Sequence, residues 1–302
     1  MFRAARDAMS DTSADGAALP TLFCRILGPI EIEIDGVSVD LGGPRSRKLL
    51  AALSAARGAP VGDAELIDQV WGDAPPGNIP QAMRAIVWRL RAELGPTAGQ
   101  RYLERSRAGY ALTIPGPLTD HGQLPTLVTR GLAHLTEGDP AAAVADLEAA
   151  VALWRGEPWE ELGSAPELIG IRAKLAELHD VAIEELPAAR IAVGDTTRAI
   201  AALTEAVVAA PYRERRWELL ALGLYRSGRQ VEALETLRRV RRLLITEVGI
   251  EPGPMLRALE HAILRQDPSL LLPTSVIEIP PGPSGRVAVS ATASETTGAR
   301  VR

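Results

Sequence analysis

Cysteine is almost missing from this chain. Its 302 residues include one, Cys24, which rules out an internal disulfide or a cysteine-built zinc cluster and fits a reducing cytoplasm. The four histidines, His121, His134, His179 and His261, are scattered without metal-ligand spacing, so no metal is expected. Lysine supplies two of the 33 basic residues and aromatics 4% of the chain. No apolar run approaches the roughly 20 residues of a membrane span. The N-terminal stretch has two arginines but no apolar segment after them, so it does not read as a signal peptide. Catalytic signatures are lacking too: there is no G-x-x-x-x-G-K-[ST] phosphate loop, no G-x-G-x-x-G after a strand and no G-x-S-x-G elbow. Neither an enzyme nor a cofactor is expected.

What remains is a globular composition, 46% hydrophobic and 24% charged, long enough for two domains. The net charge of −5 is unevenly spread. Residues 22–114 carry 11 basic and 10 acidic side chains, whereas residues 120–268 carry 17 and 23. Within 81–107 six arginines face only Glu93 and Glu104. Positive charge is thus concentrated on one short segment, and the acidic excess lies in the other half of the chain.

That segment begins with Ile79–Leu94, which predicts a helix. Asn78 caps it, Pro80 suits its first turn, and Gly95-Pro96 ends it. Met83, Ile86, Val87, Leu90 and Leu94 make an apolar stripe, leaving Gln81, Arg84, Ala85, Trp88 and Arg91 opposite, with Arg89 on the flank. Gln81 also fits a capping box with Asn78, its amide folded back on the helix start, which leaves Arg84 as the preferred base reader. Upstream, residues 22–28, 30–35 and 37–41 predict three short strands with a hairpin turn at Asp35-Gly36. Next comes a helix over 44–57 that buries Leu49, Leu50 and Leu53. Arg45, Arg47 and Lys48 in its first turn oppose the helix dipole; they are either solvated or laid against phosphate. Asp63 is expected to cap a second helix through Trp71. After residue 100, a hairpin with Arg105 and Arg107 near its tip makes a wing that can reach a minor groove or phosphates. The order is sheet, three helices, hairpin: a helix-turn-helix variant with its second helix in the groove.

Residues 115–125 read as a linker, and helix dominates afterwards. Three segments, starting at Gly138, Gly194 and Gly228, share a small-residue turn and an amphipathic helix. Ala143, Ala199 and Ala233 recur at one offset, and Leu147, Leu203 and Leu237 at another. Gly194 and Gly228 are 34 residues apart, the tetratricopeptide period. The wider first interval implies an insertion around Arg155–Pro166. Trp154, Trp159, Trp217 and Tyr225 read as core, and Arg238, Arg239, Arg241 and Arg242 as a solvated face. Pro187 should kink or split its helix.

At this point the chain resembles the SARP-type bacterial transcriptional activators, which join an OmpR-like winged helix to a bacterial transcriptional activation domain of tetratricopeptide-like helices. The resemblance rests on ILGPIEI (26–32), LGGPRSRKLLAAL (41–53), ELIDQVWGDAPP (65–76), WRLRAELG (88–95) and AGYAL (108–112). In the second half it rests on ALWRGEPW (152–159), PYRERRWELLALGLYRSGRQVEAL (211–234) and EVGIEPGPMLRALEHAILRQDPSL (247–270). It implies a recognition helix at 79–94, with Arg84, Arg89 and Arg91 reading bases or gripping phosphate and Arg105 and Arg107 on the wing. Loop 72–78 then corresponds to a segment presented to RNA polymerase. It further implies double-stranded DNA with direct repeats, bound by a dimer or by side-by-side copies. Trp88 departs from the small polar residue usual in relatives: either the DNA contact differs or the indole packs on a neighbour.

The expected architecture is therefore mainly α: a flexible leader (1–21), a winged helix-turn-helix domain with small antiparallel sheets (22–116), an all-α tetratricopeptide-like domain (117–268) and a disordered tail (269–302). DNA contact is expected from Arg45, Arg47, Lys48, Arg84, Trp88, Arg89, Arg91, Arg105 and Arg107. The favoured function is a cytoplasmic, sequence-specific activator; a repressor, or a helical-repeat adaptor whose winged helix contacts protein, are the alternatives.

Overall fold

The computed structural model describes residues 21–271. The expected leader and tail therefore fall outside the described residues except at their inner ends, where Pro268–Leu271 form a 3-10 turn.

The strands are shorter than the sequence suggests. β1 (Leu22–Arg25) pairs antiparallel with β2 (Glu31–Ile34), and β2 with β3 (Val37–Ser38). Asp35 and Gly36 turn the second hairpin with φ of 52° and 81°, the two positive values that match the twist of a two-residue hairpin. Three helices follow, α1 (Pro44–Ala55), α2 (Asp63–Trp71) and α3 (Ile79–Glu93). Gly95-Pro96 does not lead straight into the wing. It starts a further helix, α4 (Gly95–Tyr102), with Pro96 in the first turn, where its missing N–H costs nothing. α4 packs so closely on α3 that a Cβ on Gly99 would lie 2.4 Å from the Arg91 carbonyl oxygen. The wing is β4 (Leu103–Ser106) paired with β5 (Gly109–Leu112).

The expected linker is not one. Gly116–Leu118 make a single 3-10 turn, and α5 (Asp120–Glu137) starts at once. Thr119 caps it by accepting from the Gly122 N–H at 3.2 Å. α6 (Pro140–Ala152), α7 (Ile169–Ala192), α8 (Thr196–Ala209), α9 (Glu214–Arg226), α10 (Gln230–Leu243) and α11 (Pro254–Leu264) complete the helices of the described residues, each of α5 to α10 packing on the next. The repeat pattern has a physical basis. Gly138, Gly194 and Gly228 take left-handed φ of 81°, 87° and 81° just before the second helix of each pair. Ala143, Ala199 and Ala233 are all fully buried, where small side chains let helix axes approach. Pro187, expected to kink or split its helix, lies inside the unbroken 24-residue α7. That helix packs on α5, α6, α8 and α9. Packing outweighs the roughly 3 kcal/mol an interior proline costs.

α7 and α9 are further joined by ions. Arg216, 2% exposed, donates to Asp180 at 2.5 Å, Glu184 at 3.2 Å and the Ala206 carbonyl. Arg213 pairs with Glu177, Asp180 and Glu184 from the same helix face.

The apolar core does not divide at 116–117, where composition places a domain boundary. One cluster runs without a break from Leu22 to Ala189, and a second covers Ile191 to Ile263. The segment read as an insertion, around Arg155–Pro166, makes the join. The Arg155 N–H donates to the Leu27 carbonyl at 2.7 Å and the Trp159 N–H to the Ile26 carbonyl at 3.0 Å. The Trp159 indole is fully buried and donates to Ser54 Oγ at 2.8 Å. From α5, the buried Asp120 carboxylate accepts the N–H groups of Ile26, Leu27 and His121, and the Glu161 carboxylate takes that of Ile30 at 2.7 Å. The turn between β1 and β2 thus finds its hydrogen-bond partners in the helical half.

A candidate nucleic-acid interface

α3 forms as its sequence predicts. Asn78 Oδ1 accepts from the Gln81 N–H at 3.1 Å, satisfying one of the open donors of the first turn. The second half of a capping box is not made. Gln81 is exposed, and its amide has no bonded partner among the described residues. Met83, Val87, Leu90 and Leu94 are buried, and Ile86 is half-buried. The opposite face shows Gln81, Arg84, Ala85, Trp88 and Arg89 to solvent. Trp88 is 73% exposed, so it does not pack on a neighbour.

Two of the arginines expected on DNA have other duties. Arg91 is half-buried, and its Nε and Nη2 both donate to the Leu103 carbonyl, at 3.1 and 2.7 Å. It ties the recognition helix to the first residue of the wing instead of lying free for phosphate. Arg105 makes a two-pronged salt bridge to Asp63 at the start of α2 and stacks over the Tyr110 ring at 4.3 Å. The Arg105 bond holds the Asp63 carboxyl below the usual range. Asp63 is therefore a wing anchor, and the N-cap position it was expected to fill belongs to Gly62. The wing is also clamped through its backbone. Val61 and Tyr110 exchange N–H···O bonds of 2.8 and 3.1 Å, and at Gly109, with φ +140°, a Cβ would lie 1.8 Å from the Val61 carbonyl oxygen. Only glycine fits there.

The remaining cations are free. Among the described residues Arg45, Arg47, Lys48, Arg84, Arg89 and Arg107 take part in no salt bridge. In the helical half Arg130, Arg155, Arg172, Arg190, Arg213, Arg215 and Arg216 are paired, while Lys174, Arg238, Arg239, Arg242, Arg257 and Arg265 are in no salt bridge among the described residues. Arg89 lies along the start of α1, its Cδ 3.5 Å from where a Cβ on Gly42 would stand. Between it and the first turn of α1 is an open cleft of about 430 Å³ lined by Pro44, Arg45, Ser46, Trp71, Ile86 and Arg89. Trp71 is 7% exposed, and its Nε1 is buried without a hydrogen-bond partner, although buried polar groups normally find one. The sequence reading missed this donor because Trp71 falls on the apolar stripe of α2 and reads as core.

Among the described residues no helix is long and apolar enough to cross a membrane. Comparison with known proteins gives a consistent result. Residues 38–112 match the family model for the C-terminal domain of transcriptional regulatory proteins, and residues 119–264 match the bacterial transcriptional activator domain. The chain is 36% identical over 270 residues to the transcriptional regulator RedD of Streptomyces coelicolor, covering 88% of this chain and 77% of RedD. It is 35% identical to the regulatory protein AfsR of the same organism, spanning 24% of that longer protein. A solved structure of Mycobacterium tuberculosis EmbR, in complex with a low affinity phosphopeptide, superposes with a TM-score of 0.70 at 34% identity. That match covers 83% of this chain and 68% of the EmbR chain.

Proposed function

Because the chain belongs to the SARP-type family of bacterial transcriptional regulators, we propose that it binds double-stranded DNA by laying α3 in a major groove, and that it activates transcription from the bound site. The observation carrying this reading is the gathering of unpaired cations on and beside α3. Six cations around α3, the start of α1 and the wing tip are in no salt bridge among the described residues. Unpaired cations on one face are what a phosphate backbone neutralises.

Roles follow from position. Arg84 reads base edges, and the re-exposed Gln81 joins it as a long amide suited to adenine. Trp88 offers an apolar surface to a thymine methyl. Arg45 and Arg89 hold phosphate at the cleft beside α1, and Arg47 and Lys48 hold it along the first turn of that helix. Arg107 extends from the wing tip, while Arg91 and Arg105 keep the wing in place. The exposed loop 72–78 is free to meet RNA polymerase. Side-by-side copies on direct repeats, upstream of a secondary-metabolite or similar operon, complete the reading, with the cytoplasm as its location.

A gel-shift salt titration on the chain's own upstream region tests it. Several neutralised phosphates give a steep negative log–log slope, about −0.9 per contact. Flat salt dependence, or no retention at low salt, would contradict DNA binding and favour a protein partner for the winged helix. A reporter with the operator at varied distance from the promoter separates activation from repression.

A further inference from the structure

Where the two halves meet there is a second cavity, of about 240 Å³, which contributes nothing to the DNA face. Its walls come from four places: Cys24 and Ile26 of the first sheet, Ser54 and Arg57 at the end of α1, Leu112 and Ile114 after the wing, and Thr119 and His121 at the start of α5. Most of this surface is apolar, and most of its polar atoms are spoken for. Ser54 Oγ donates to the Ala51 carbonyl and accepts from Trp159. Thr119 Oγ1 donates to the Gly116 carbonyl and accepts from Gly122. Burial raises the pKa of the Cys24 thiol, so it stays protonated and inert. Asp120, next to His121, is held by three backbone N–H groups and points toward Ile26 and Leu27.

Two groups are left over. His121 Nδ1 is buried without a hydrogen-bond partner. Burial and the neighbouring Arg57 charge push the pKa of its imidazole down to about 4, so the ring is neutral near pH 7. Arg57 is in no salt bridge among the described residues, and it sits at φ 50°, a left-handed conformation uncommon for any residue but glycine. Arg57 and His121 both line this largely apolar recess. A guanidinium without a carboxylate partner matches a carboxylate ligand, which takes two parallel bonds from it. It matches a phosphate poorly, because a dianion would need more donors and more positive charge than the recess holds.

We propose that this cavity binds a small organic carboxylate, its hydrocarbon or aryl body against Ile26, Leu112 and Ile114 and its carboxylate on Arg57 beside the His121 ring. Because the lining is drawn from the first sheet, α1, the wing base and α5, a bound molecule would touch both halves of the chain.

Benzoate serves as the probe, titrated into the full chain at constant ionic strength. The readouts are melting temperature and the imidazole NMR signals of the four histidines. A Kd on the order of 1 mM is expected for a fragment of this size, with the melting temperature rising as benzoate exceeds it. The His121 signals should move selectively, and the His121 pKa should rise, since an adjacent anion favours the charged ring. Arg57→Gln, at an exposed position, should weaken binding by about tenfold or more, as should replacing benzoate by neutral benzamide. Ile114→Trp, which closes the apolar end and leaves Arg57 in place, should also abolish it. Unmoved His121 signals at saturating benzoate, or equal affinity in Arg57→Gln or Ile114→Trp, would overturn the proposal. Neither readout involves DNA, so the result stands apart from the DNA-binding reading.

Discussion

The indole N–H of Trp159 donates to Ser54 Oγ at 2.8 Å across 105 residues of sequence, joining a 3-10 turn of the helical half to the middle of the winged helix. Both partners are buried, and Trp159 holds a left-handed φ of 53° to make the contact. Trp159→Ala should destabilise the protein by about 3–5 kcal/mol, the usual cost of deleting a large buried aromatic. Trp159→Phe keeps most of the packing and loses the hydrogen bond, for about 1–2 kcal/mol. Urea unfolding followed at the winged helix and at α5–α7 should give one coincident transition in wild type, since one core serves both. Two separate transitions in wild type would mean that the weld carries no cooperativity.

Asp63 and Arg105 should matter for the wing more than for stability. Their pair is exposed on both sides, so Asp63→Asn should cost no more than about 1 kcal/mol. The same change frees the base of the wing and is expected to weaken specific and random DNA alike, by a few-fold. Arg105→Ala should behave the same way. If Asp63→Asn leaves DNA affinity unchanged while Arg105→Ala reduces it, Arg105 contacts DNA directly.

Arg84 and Arg107 should separate by the kind of loss they produce. Arg84→Ala is expected to cost about 1–3 kcal/mol on the specific site and to relax preference at one position, as removal of a base contact does. Arg107→Ala should weaken all sequences alike and lower the salt slope by about one contact. A selection experiment with randomised sites reads the difference. Equal loss on specific and random DNA for Arg84→Ala would remove it from base reading.

Adjacent residues at the junction should have opposite pH behaviour. Burial pushes the Asp120 carboxyl up to about 6, against the pull of three backbone N–H groups. The folded state therefore holds its proton more tightly than the unfolded state. Stability from this group is full below about pH 4 and is lost as pH rises through about 6. His121 is depressed to about 4, so its contribution is present above about pH 6.5 and lost as pH falls through about 4. Between pH 4 and 6.5 the two slopes oppose and largely cancel. Unfolding free energies across that window should be nearly flat in wild type. They should fall with rising pH in His121→Asn and rise with pH in Asp120→Asn, by on the order of 2 kcal/mol each. Parallel curves in all three proteins would refute the coupling.

Much of this molecule was legible in its sequence because local chemistry repeats. The apolar stripe from Met83 to Leu94, the Asn78 cap, the Asp35-Gly36 turn and the spacing of Ala143, Ala199 and Ala233 each specify an element over a few residues, and each is present. What the sequence left open depended on partners distant along the chain. Nothing local says that Arg91 spends its donors on Leu103, that Asp63 anchors Arg105 and leaves the cap to Gly62, or that Trp71 keeps an unused N–H beside the start of α1. Pro187 sits in a continuous helix because neighbouring helices hold it there. The boundary at 116–117 was read from composition, yet hydrogen bonding ignores it. The β1–β2 turn has backbone donors and acceptors that water cannot reach, and Asp120, Arg155, Trp159 and Glu161 satisfy them. Composition and periodicity settle which segments become helix or strand. Only the folded chain decides which of the available arginines are left to meet DNA, because that depends on which carboxylates and carbonyls reach them first.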